Sequence, residues 1–277
     1  MTAVLPERGP DRAAFIAEGA SAEVYRIGDG LVLKLFHEGI EGGIIEREFA
    51  AARTIQATGL PVARAVERRA VGGRQGIVYT EIEGRDLLRH IRSRPDEALW
   101  AMREMVRLQH RIHQQQVPLM RSRKAILAEE IELGPVGGAL RDAALARLDQ
   151  LVEGDRLSHG DLHPANLIVT RDGLTVIDWS RAARAAPAAD VVRTEMLLRF
   201  GPGQSDSRIK GWGRDMAGRH YLRTYQQLSG LEDEALAAWR PLVALAWLKH
   251  RAPGRDAAFE RYLDDALAQA GLPARGG

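Results

Sequence analysis

Three side chains with hard oxygen atoms lie close together in the sequence: Asp161, Asn166 and Asp178. Carboxylate and carboxamide oxygens are ligands that Mg²⁺ takes in proteins, and a carboxylate can also accept a proton during a reaction. Asp161 precedes Asn166 by five residues in a loop whose glycine and proline exclude a regular helix. The spacing therefore predicts a cation site with a second carboxylate beside it.

The segment that joins Asn166 to Asp178 predicts the geometry of this site. Two apolar runs, 167–170 and 174–177, flank a short turn that contains Asp-Gly, which is the pattern of a tight β-hairpin. With a three-residue turn, Asn166 is placed directly opposite Asp178 at the open end of the hairpin. Opposed residues in an antiparallel pair lie about 4.5 to 5.5 Å apart at Cα, so we expect the two side chains to hold Mg²⁺ together.

A second pair of charged residues is predicted nearer the N-terminus. Lysine is rare in this chain, four residues against thirty-five arginines, so Lys34 inside the apolar strand 31–36 needs a specific explanation. On a helical wheel of the predicted helix 43–58, Glu48 falls inside the apolar stripe, whereas Glu46 points away. A buried lysine requires a counterion, and we expect Glu48 to supply it. The stripe consists of Ile44, Ile45, Ala52 and Ile55.

The elements that must position these residues change in character along the chain. Short β-type segments and one helix make up roughly the first eighty residues, and long amphipathic helices follow Gly84. We predict an α+β, bilobal fold, with a small antiparallel-sheet lobe carrying one helix (1–83) and a larger, mainly helical lobe (84–277). The predicted strands are 15–18, 22–27, 31–36, 65–71 and 76–82, and the predicted helices of the larger lobe are 96–116, 136–152, 188–199, 209–228, 233–250 and 256–270.

Composition narrows the classes of protein to which the chain can belong. The 277 residues carry 39 Lys plus Arg against 37 Asp plus Glu, a formal charge of +2, which is too small to indicate nucleic acid or an anionic membrane as a partner. The absence of cysteine excludes disulfides, thiolate nucleophiles and Cys-bound zinc. Residues 1–10 lack a signal-peptide pattern, and no apolar run approaches the roughly 18 residues of a membrane span. We expect a soluble, cytoplasmic protein, and its oligomeric state stays open.

The run 159–166, followed by Asp178, resembles the catalytic loop of the aminoglycoside/choline phosphotransferase family, which are small-molecule kinases with a protein-kinase-like fold. The resemblance implies that Asp161 is the catalytic base, that Asn166 and Asp178 bind Mg²⁺, and that ATP donates its γ-phosphoryl group to a hydroxyl of a small molecule. Two differences from protein kinases favour this branch. His163 stands where protein kinases usually have Lys, and Asp178 is followed by Trp-Ser instead of Phe-Gly.

The same resemblance implies nucleotide-binding residues in the first lobe. Lys34, oriented by Glu48, corresponds to the lysine that positions the ATP phosphates. Ser21 lies at the tip of a glycine-poor loop between the first two strands, where small residues let backbone N–H groups approach phosphate. The strand that ends near Thr80 resembles the connector between the lobes. The Thr80 carbonyl and the Ile82 N–H are therefore expected to bind the edge of adenine.

Other interpretations stay open. A protein kinase is disfavoured because the second lobe is small for that class and lacks an Ala-Pro-Glu-type segment. Labelling of protein with phosphate from ATP would support a protein kinase. A nucleotide-binding protein without catalysis is disfavoured by the intact set Lys34, Asp161, Asn166 and Asp178, and MgATP binding without turnover would support it. Asp190 either braces the catalytic loop, as the resemblance implies, or caps a helix.

The charge of the C-terminal third bears on the acceptor. From residue 181 to the end, eleven Asp and Glu stand against thirteen Arg and two Lys, an excess of four positive charges. A polycationic aminoglycoside ordinarily requires a pocket rich in carboxylates, because complementary charge governs both the association rate and the choice of partner. We therefore expect a neutral or weakly charged hydroxyl compound to be a better acceptor than kanamycin-like compounds.

Overall fold

The computed structural model describes residues 14–201, 208–250 and 257–275, and the side chains of 208–210 lie outside this description. Two compact units account for these residues. One is drawn from Met1–Pro95 and Pro164–Arg181, and the other from Asp96–His163 and Ala182–Gly277. The first unit thus extends past residue 83 and includes the predicted hairpin. The expected lack of a signal peptide concerns residues 1–10, which lie outside the described residues.

A five-stranded antiparallel sheet forms most of the first unit, as predicted. Its strand order is β1-β2-β3-β5-β4, so β3 is the central strand. The turn that precedes β5 is the pair Gly72-Gly73, and both glycines have positive φ, so β5 begins two residues before the predicted strand. The elements are β1 (Phe15–Glu18), β2 (Ala22–Gly28), β3 (Leu31–Phe36), α1 (Gly42–Gln56), β4 (Ala65–Val71) and β5 (Arg74–Thr80).

Helix α1 covers one face of this sheet. Its buried residues are Ile45, Glu48, Ala52 and Ile55, which recur at the spacing of one helix face. Ile45 and Ala52 join a buried apolar cluster with residues of the sheet. The predicted burial of Glu48 in this stripe is confirmed. The prediction for Ile44 is wrong, because its side chain is 42% exposed and the buried stripe is narrower than the wheel suggested.

Beyond β5 the described residues form five further short strands and eight helices. The predicted long helices correspond to α3 and to α5 through α9, whereas α2 and α4 were not predicted. Helix α2 has only seven residues, and α4 buries Arg123 and Glu130 beside two apolar residues, so its pattern is not amphipathic. In chain order the elements are β6 (Arg85–Asp86), α2 (Leu87–Ser93), α3 (Ala98–His113), α4 (Arg123–Leu133), α5 (Gly138–Gln150), β7 (Arg156–Ser158), β8 (Leu167–Thr170), β9 (Gly173–Val176), β10 (Ala183–Ala185), α6 (Pro187–Phe200), α7 (Arg208–Ser229), α8 (Asp233–Trp247) and α9 (Ala257–Gln269).

The hairpin β8–β9 is present, but its register differs by one residue from the predicted one. Thr170 pairs with Gly173, whereas the predicted three-residue turn pairs it with Leu174. Gly173 has a φ of 119°, a conformation that glycine adopts readily, and it begins the second strand. The Thr170 hydroxyl donates to the Gly173 carbonyl at 2.9 Å. The turn therefore consists of residues 171–172 alone.

This register corrects the expected relation between Asn166 and Asp178. Asn166 lies opposite Ile177, whose N–H donates to the Asn166 carbonyl at 3.0 Å. Asn166 also ends a short 3₁₀ turn (Pro164–Asn166) instead of continuing the strand. Asp178 has a φ of 59°, which is uncommon for a residue with a Cβ. The chain leaves the hairpin at Asp178, and the two residues are not a directly opposed pair.

A close approach of Gly84 ties the segment after β5 to the hairpin. Gly84 has a φ of 154°, and a Cβ at this position would collide with the Val169 carbonyl oxygen and the Ile168 side chain. Only glycine fits there. The adjacent β6 pairs with β8 and completes a three-stranded sheet in the order β6-β8-β9. The hairpin is consequently part of the same compact unit as the five-stranded sheet.

The second unit is mainly helical, as predicted for this part of the chain. Helix α6 buries ten residues, and it packs against α7 and α8. The short strands β7 and β10 form an antiparallel pair, with Ser158 opposite Ala183. This pairing leads the chain from β7 into the loop that carries Asp161. None of the helices in the described ranges has both the length and the apolar character required to cross a membrane.

Candidate active site

Lys34 lies on the central strand β3 with its ammonium group next to two carboxylates. Its Nζ donates to Glu48 Oε1 at 2.8 Å and to Asp178 Oδ1 at 2.9 Å. The Glu48 side chain is 2% exposed, whereas that of Asp178 is 41% exposed. The predicted pairing of Lys34 with Glu48 is confirmed. We call Lys34, Glu48 and Asp178 the lysine cluster.

The alternation of side chains along β3 explains this placement. Leu33 and Leu35 are buried in a cluster on one face of the sheet, so Lys34 and Phe36 point to the opposite face, where α1 covers the sheet. The Lys34 Nζ lies 5.5 Å from the centroid of the Phe36 ring. Glu48 then meets the ammonium from α1, since it belongs to the buried stripe of that helix.

The lysine cluster contains one ammonium group and two carboxylates, so it carries an excess of one negative charge. Burial opposes the charge on Lys34, but the charges of Asp178 and Glu48 raise the pKa of Lys34 above its ordinary value. Burial, together with the charge of Asp178, also raises the pKa of Glu48, although Lys34 acts in the opposite direction. An isolated ion pair would lower the pKa of its acid. The rise at Glu48 follows from its almost complete burial and from the second carboxylate.

Asn166 and Asp178 suit a hard divalent cation. They offer a carboxamide and a carboxylate as ligands. A bound cation would also offset the excess negative charge of the lysine cluster. The bond from the Ile177 N–H to the Asn166 carbonyl fixes Asn166 beside the residue that precedes Asp178. Across the described ranges, no three or more His, Asp and Glu side chains form a metal-binding group. Mg²⁺ is commonly held by one or two carboxylates, with water and substrate phosphates as its other ligands, so Asn166 and Asp178 fit this cation.

Ser21 lies in the turn that connects β1 to β2, as predicted. The Gly19 N–H donates to the Ala22 carbonyl at 2.8 Å, and the Ser21 carbonyl accepts from the His37 N–H at 2.9 Å. His37 Nε2 also lies 3.1 Å from the Gly19 carbonyl oxygen. The turn is therefore held by His37, the residue that directly follows β3, the strand that carries Lys34.

Thr80 ends β5 with an unusual exchange of hydrogen bonds. Its N–H donates to the Arg64 carbonyl at 3.0 Å, but the Arg64 N–H donates to Thr80 Oγ1 at 2.9 Å. In a regular hydrogen-bonded pair the second bond would go to the Thr80 carbonyl. The hydroxyl thus takes the N–H that would otherwise occupy the carbonyl predicted to bind adenine. Ile82, the other predicted adenine contact, lies two residues past β5 and is half-buried.

Asp161 belongs to the second unit, in the loop that follows β7. Its N–H donates to His159 Nδ1 at 3.2 Å. Arg193 Nη2 lies 3.7 Å from Asp161 Oδ1, and His163 Nε2 lies 3.7 Å from Oδ2. These are the distances of ion pairs, longer than those of direct hydrogen bonds. The Asp161 carboxylate, with 27% of its side chain exposed, thus has a basic side chain near each oxygen.

Asp190 on α6 braces the loop that carries Asp161. Its side chain is fully buried, and its two oxygens accept hydrogen bonds from five donors. The N-cap of α6 is Ala186, so of the two interpretations of Asp190 the bracing role is confirmed and the capping role is wrong. The donors are the N–H groups of His159 and Gly160, Ser158 Oγ, Gln109 Nε2 and His113 Nε2, at distances from 2.6 to 3.3 Å.

The donors around Asp190 keep it ionised. Burial acts to raise the pKa of Asp190, but the hydrogen bond and charge of His113, together with the charges of Arg123 and His159, outweigh burial and lower the pKa far below its usual range. His113 Nδ1 in turn lies 2.5 Å from Tyr225 Oη. Neither Gln109 nor His113 was among the candidate site residues predicted from the sequence. The positions of Gln109 and His113, four residues apart on α3, were the signal that both face the same partner.

Comparisons with known proteins identify a family and a fold for this chain. A family model described as "Phosphotransferase enzyme family" (APH) matches residues 12–231. No curated protein matches the chain. Among solved structures, amicoumacin kinase hAmiN in complex with AMP-PNP, Ca²⁺ and Ami superposes with a TM-score of 0.62 at 18% identity, over 96% of this chain and 91% of that chain.

Two further solved structures are similar. Aminoglycoside phosphotransferase APH(3'')-Id from Streptomyces rimosus, in complex with ADP and streptomycin, has a TM-score of 0.58 at 19% identity, over 86% of this chain and 94% of that chain. Choline kinase from Cryptosporidium parvum has a TM-score of 0.58 at 12% identity, over 93% and 88%. These likenesses establish a protein-kinase-like α+β fold, as predicted. Because the family model also matches most of the sequence, the chain belongs to the phosphotransferase enzyme family.

Proposed function

We propose that this protein transfers the γ-phosphoryl group of ATP to a hydroxyl group of a small molecule, with Mg²⁺ bound by Asn166 and Asp178. Family membership supports phosphoryl transfer. The observation that carries the finer proposal is the Lys34 ammonium group held by Glu48 and Asp178. A strand lysine paired with a helix glutamate positions ATP phosphates in kinases, and a nearby aspartate binds the metal.

Each proposed nucleotide-side residue has a distinct task. Lys34 binds phosphate oxygens, and Glu48 fixes the position of its ammonium group. The turn around Ser21 presents backbone N–H groups to phosphate. The Thr80 carbonyl and the Ile82 N–H bind the edge of adenine. Mg²⁺, when bound, neutralises phosphate charge and orients the γ-phosphoryl group.

Asp161 is the proposed general base. The acceptor oxygen forms a bond to the γ-phosphorus, and the bond from that phosphorus to the oxygen bridging the β- and γ-phosphates breaks. Asp161 takes the proton of the acceptor hydroxyl, and ADP leaves with the electron pair of the broken bond. A carboxylate that is partly exposed, with Arg193 and His163 each 3.7 Å from one of its oxygens, suits this exchange of a proton.

The proposed acceptor is a neutral or weakly charged hydroxyl compound. The region from residue 181 onward has an excess of four positive charges, and the Arg193 guanidinium group lies 3.7 Å from the proposed base. A polycation approaching Asp161 therefore meets a carboxylate whose charge is already paired. Aminoglycosides remain in the test set, because one similar structure is a complex with streptomycin.

A phosphate-transfer screen tests this proposal. The purified protein is incubated with γ-³²P-labelled ATP and Mg²⁺ over a panel of sugars, amino alcohols, aminoglycosides and other antibiotics, with casein as a protein acceptor. The variant Lys34→Ala, purified in parallel, reports contaminating kinases. We expect label in a neutral small molecule at the highest kcat/KM, and almost none with the variant. Label in casein would favour a protein kinase, and MgATP binding without turnover on the whole panel would favour a non-catalytic protein.

A further inference from the structure

We propose that Arg193 is a positioning residue that holds the carboxylate of Asp161 in its working orientation, an inference that rests on the proposed role of Asp161 as the base. Arg193 lies on α6, three residues after Asp190, and residues at this spacing share a helix face. Asp190 binds the Gly160 N–H, and Arg193 Nη2 lies 3.7 Å from Asp161 Oδ1. One face of α6 thus contacts both the backbone and the reactive side chain of the same loop.

The guanidinium group of Arg193 is itself fixed by an aromatic ring. Arg193 Cζ lies 4.6 Å from the centroid of the Trp247 ring at the end of α8, within the range of a cation–π contact. Trp247 is 6% exposed and packs edge to face on Phe259, with ring centroids 5.6 Å apart. Arg193 is 12% exposed at its side chain. The position of the charge is therefore set by packed helices.

This anchoring distinguishes Arg193 from the other basic group near the base. His163 belongs to the same loop as Asp161, only two residues away, so it moves with that loop. Arg193 reaches Asp161 from α6, which is buried along most of its length. A loop aspartate has several accessible rotamers, and a displacement of about 1 Å in a reacting group can lower a rate by roughly 100-fold. A charge fixed from outside the loop selects one of these rotamers.

Arg199 provides a matched control on the same helix. It also lies over aromatic rings, 4.9 Å from the centroid of Phe200 and 5.0 Å from that of Tyr262. Its carboxylate partners are Glu195, to which Nη1 donates at 2.9 Å, and Asp215, to which Nε donates at 2.8 Å. Arg199 and Arg193 thus share residue type, helix, aromatic contact and ion pair. They differ in that the carboxylate next to Arg193 is the proposed base.

The test compares Arg193→Gln, Arg193→Lys and Arg199→Gln on the best neutral acceptor from the screen. We expect Arg193→Gln to lower kcat by about 10- to 100-fold, with KM for ATP within about twofold of the parent, and Arg193→Lys to recover part of kcat. Arg199→Gln should lower the melting temperature and leave kcat unchanged. Trp247→Leu should lower kcat, and its effect should not add to that of Arg193→Gln, because both act on the same group.

Crystal structures of the parent and of Arg193→Gln give a readout that needs no acceptor. We expect the Asp161 carboxylate to leave its parent rotamer or to occupy more than one. An unchanged rotamer, or a kcat for Arg193→Gln equal to that of Arg199→Gln, would overturn the inference. A different variant tests the proposed function: retained turnover in Asp161→Asn would contradict the role of Asp161 as the base. Loss of turnover in Asp161→Asn with parental kcat in Arg193→Gln would overturn the inference alone.

Discussion

Asp178 in the first unit and Asp190 in the second are close in sequence but have opposite surroundings. Asp190 is fully buried and accepts five hydrogen bonds. Asp178 is 41% exposed, has a left-handed backbone conformation and binds the ammonium group of Lys34. A buried carboxylate surrounded by donors fixes the structure around it. A half-exposed carboxylate in a cluster with excess negative charge is suited to bind a cation.

The largest expected difference is in stability. Asp190→Ala removes the acceptor of five buried donors, and we expect it to lower the free energy of unfolding by about 3 to 5 kcal/mol. Asp178→Ala changes a half-exposed side chain, and we expect a loss within about 1 kcal/mol. Urea unfolding of both variants measures the two values. Equal losses in the free energy of unfolding would show that the buried carboxylate contributes no more to stability than the half-exposed one.

Next in size is the effect on nucleotide binding. Lys34→Ala should weaken MgATP binding by about 10- to 100-fold, since a hydrogen bond to a charged group contributes about 1.5 to 3 kcal/mol. Glu48→Ala should weaken it less, because the ammonium group remains but loses its support from α1. Glu46→Ala is the control, because Glu46 lies on the same helix and pairs on the surface with Arg68. Titration calorimetry measures the affinity of each variant for MgATP. An equal affinity in Glu46→Ala and Glu48→Ala would contradict the proposed role of Glu48 in the lysine cluster.

The change in the free energy of unfolding with pH, in the acidic range, should report the interaction of His113 with Asp190. A carboxyl group whose pKa is lowered in the folded state stabilises the protein at pH values above its pKa in the unfolded state, which is 3.8 for Asp190. This contribution is lost as the pH falls below that value, because the unfolded state binds the proton first. His113→Leu removes the strongest contact that lowers the pKa of Asp190. The free energy of unfolding should therefore fall less steeply between about pH 4 and pH 2.

His110→Leu is the control for this experiment. His110 lies on the same helix, and its Nε2 contacts Gln114 at 3.2 Å, so its removal should leave the slope of the parent. Urea unfolding at a series of pH values measures both variants. A parental slope in His113→Leu would mean that His113 does not set the ionisation of Asp190.

The smallest expected effect is at the end of β5. Thr80→Val removes the hydroxyl that accepts the Arg64 N–H, and that N–H then turns to the Thr80 carbonyl. We expect KM for ATP to rise by about 3- to 10-fold, the worth of one neutral hydrogen bond. Thr80→Ser keeps the hydroxyl and should behave as the parent. Equal KM values for ATP in the two variants would show that the Thr80 hydroxyl does not contribute to adenine binding.

The sequence predicted the features that depend on local periodicity. The five strands, α1 and the pairing of Lys34 with Glu48 follow from alternation along β3 and from one helix face. Helix α4 escaped prediction, because it buries Arg123 and Glu130 within its packed face. The five donors of Asp190 come from two distant segments, α3 and the end of β7 with the loop after it, and spacing along the chain does not indicate that these segments converge.

The hairpin shows where local rules stop. Its two strands were recognisable, but the register depends on whether Gly173 belongs to the turn or to the strand, and both fit glycine. The contact of Asp178 with Lys34 joins residues 144 positions apart, and it requires a positive φ at an aspartate. Neither the long-range contact nor the positive φ of Asp178 can be predicted from a pattern in a single sequence. The candidate metal ligands were thus identified by type and position, while their mutual geometry came from the structure.

The variant Asp161→Asn, assayed with the best acceptor of the screen, tests the central claim most directly. Asparagine keeps the size of the side chain but does not accept the proton of a hydroxyl group. We predict that MgATP binding, measured by calorimetry, stays close to that of the parent while kcat falls by about 10²- to 10⁴-fold, the usual contribution of a general base. A kcat near that of the parent would contradict the assignment of Asp161 as the base of this phosphotransferase.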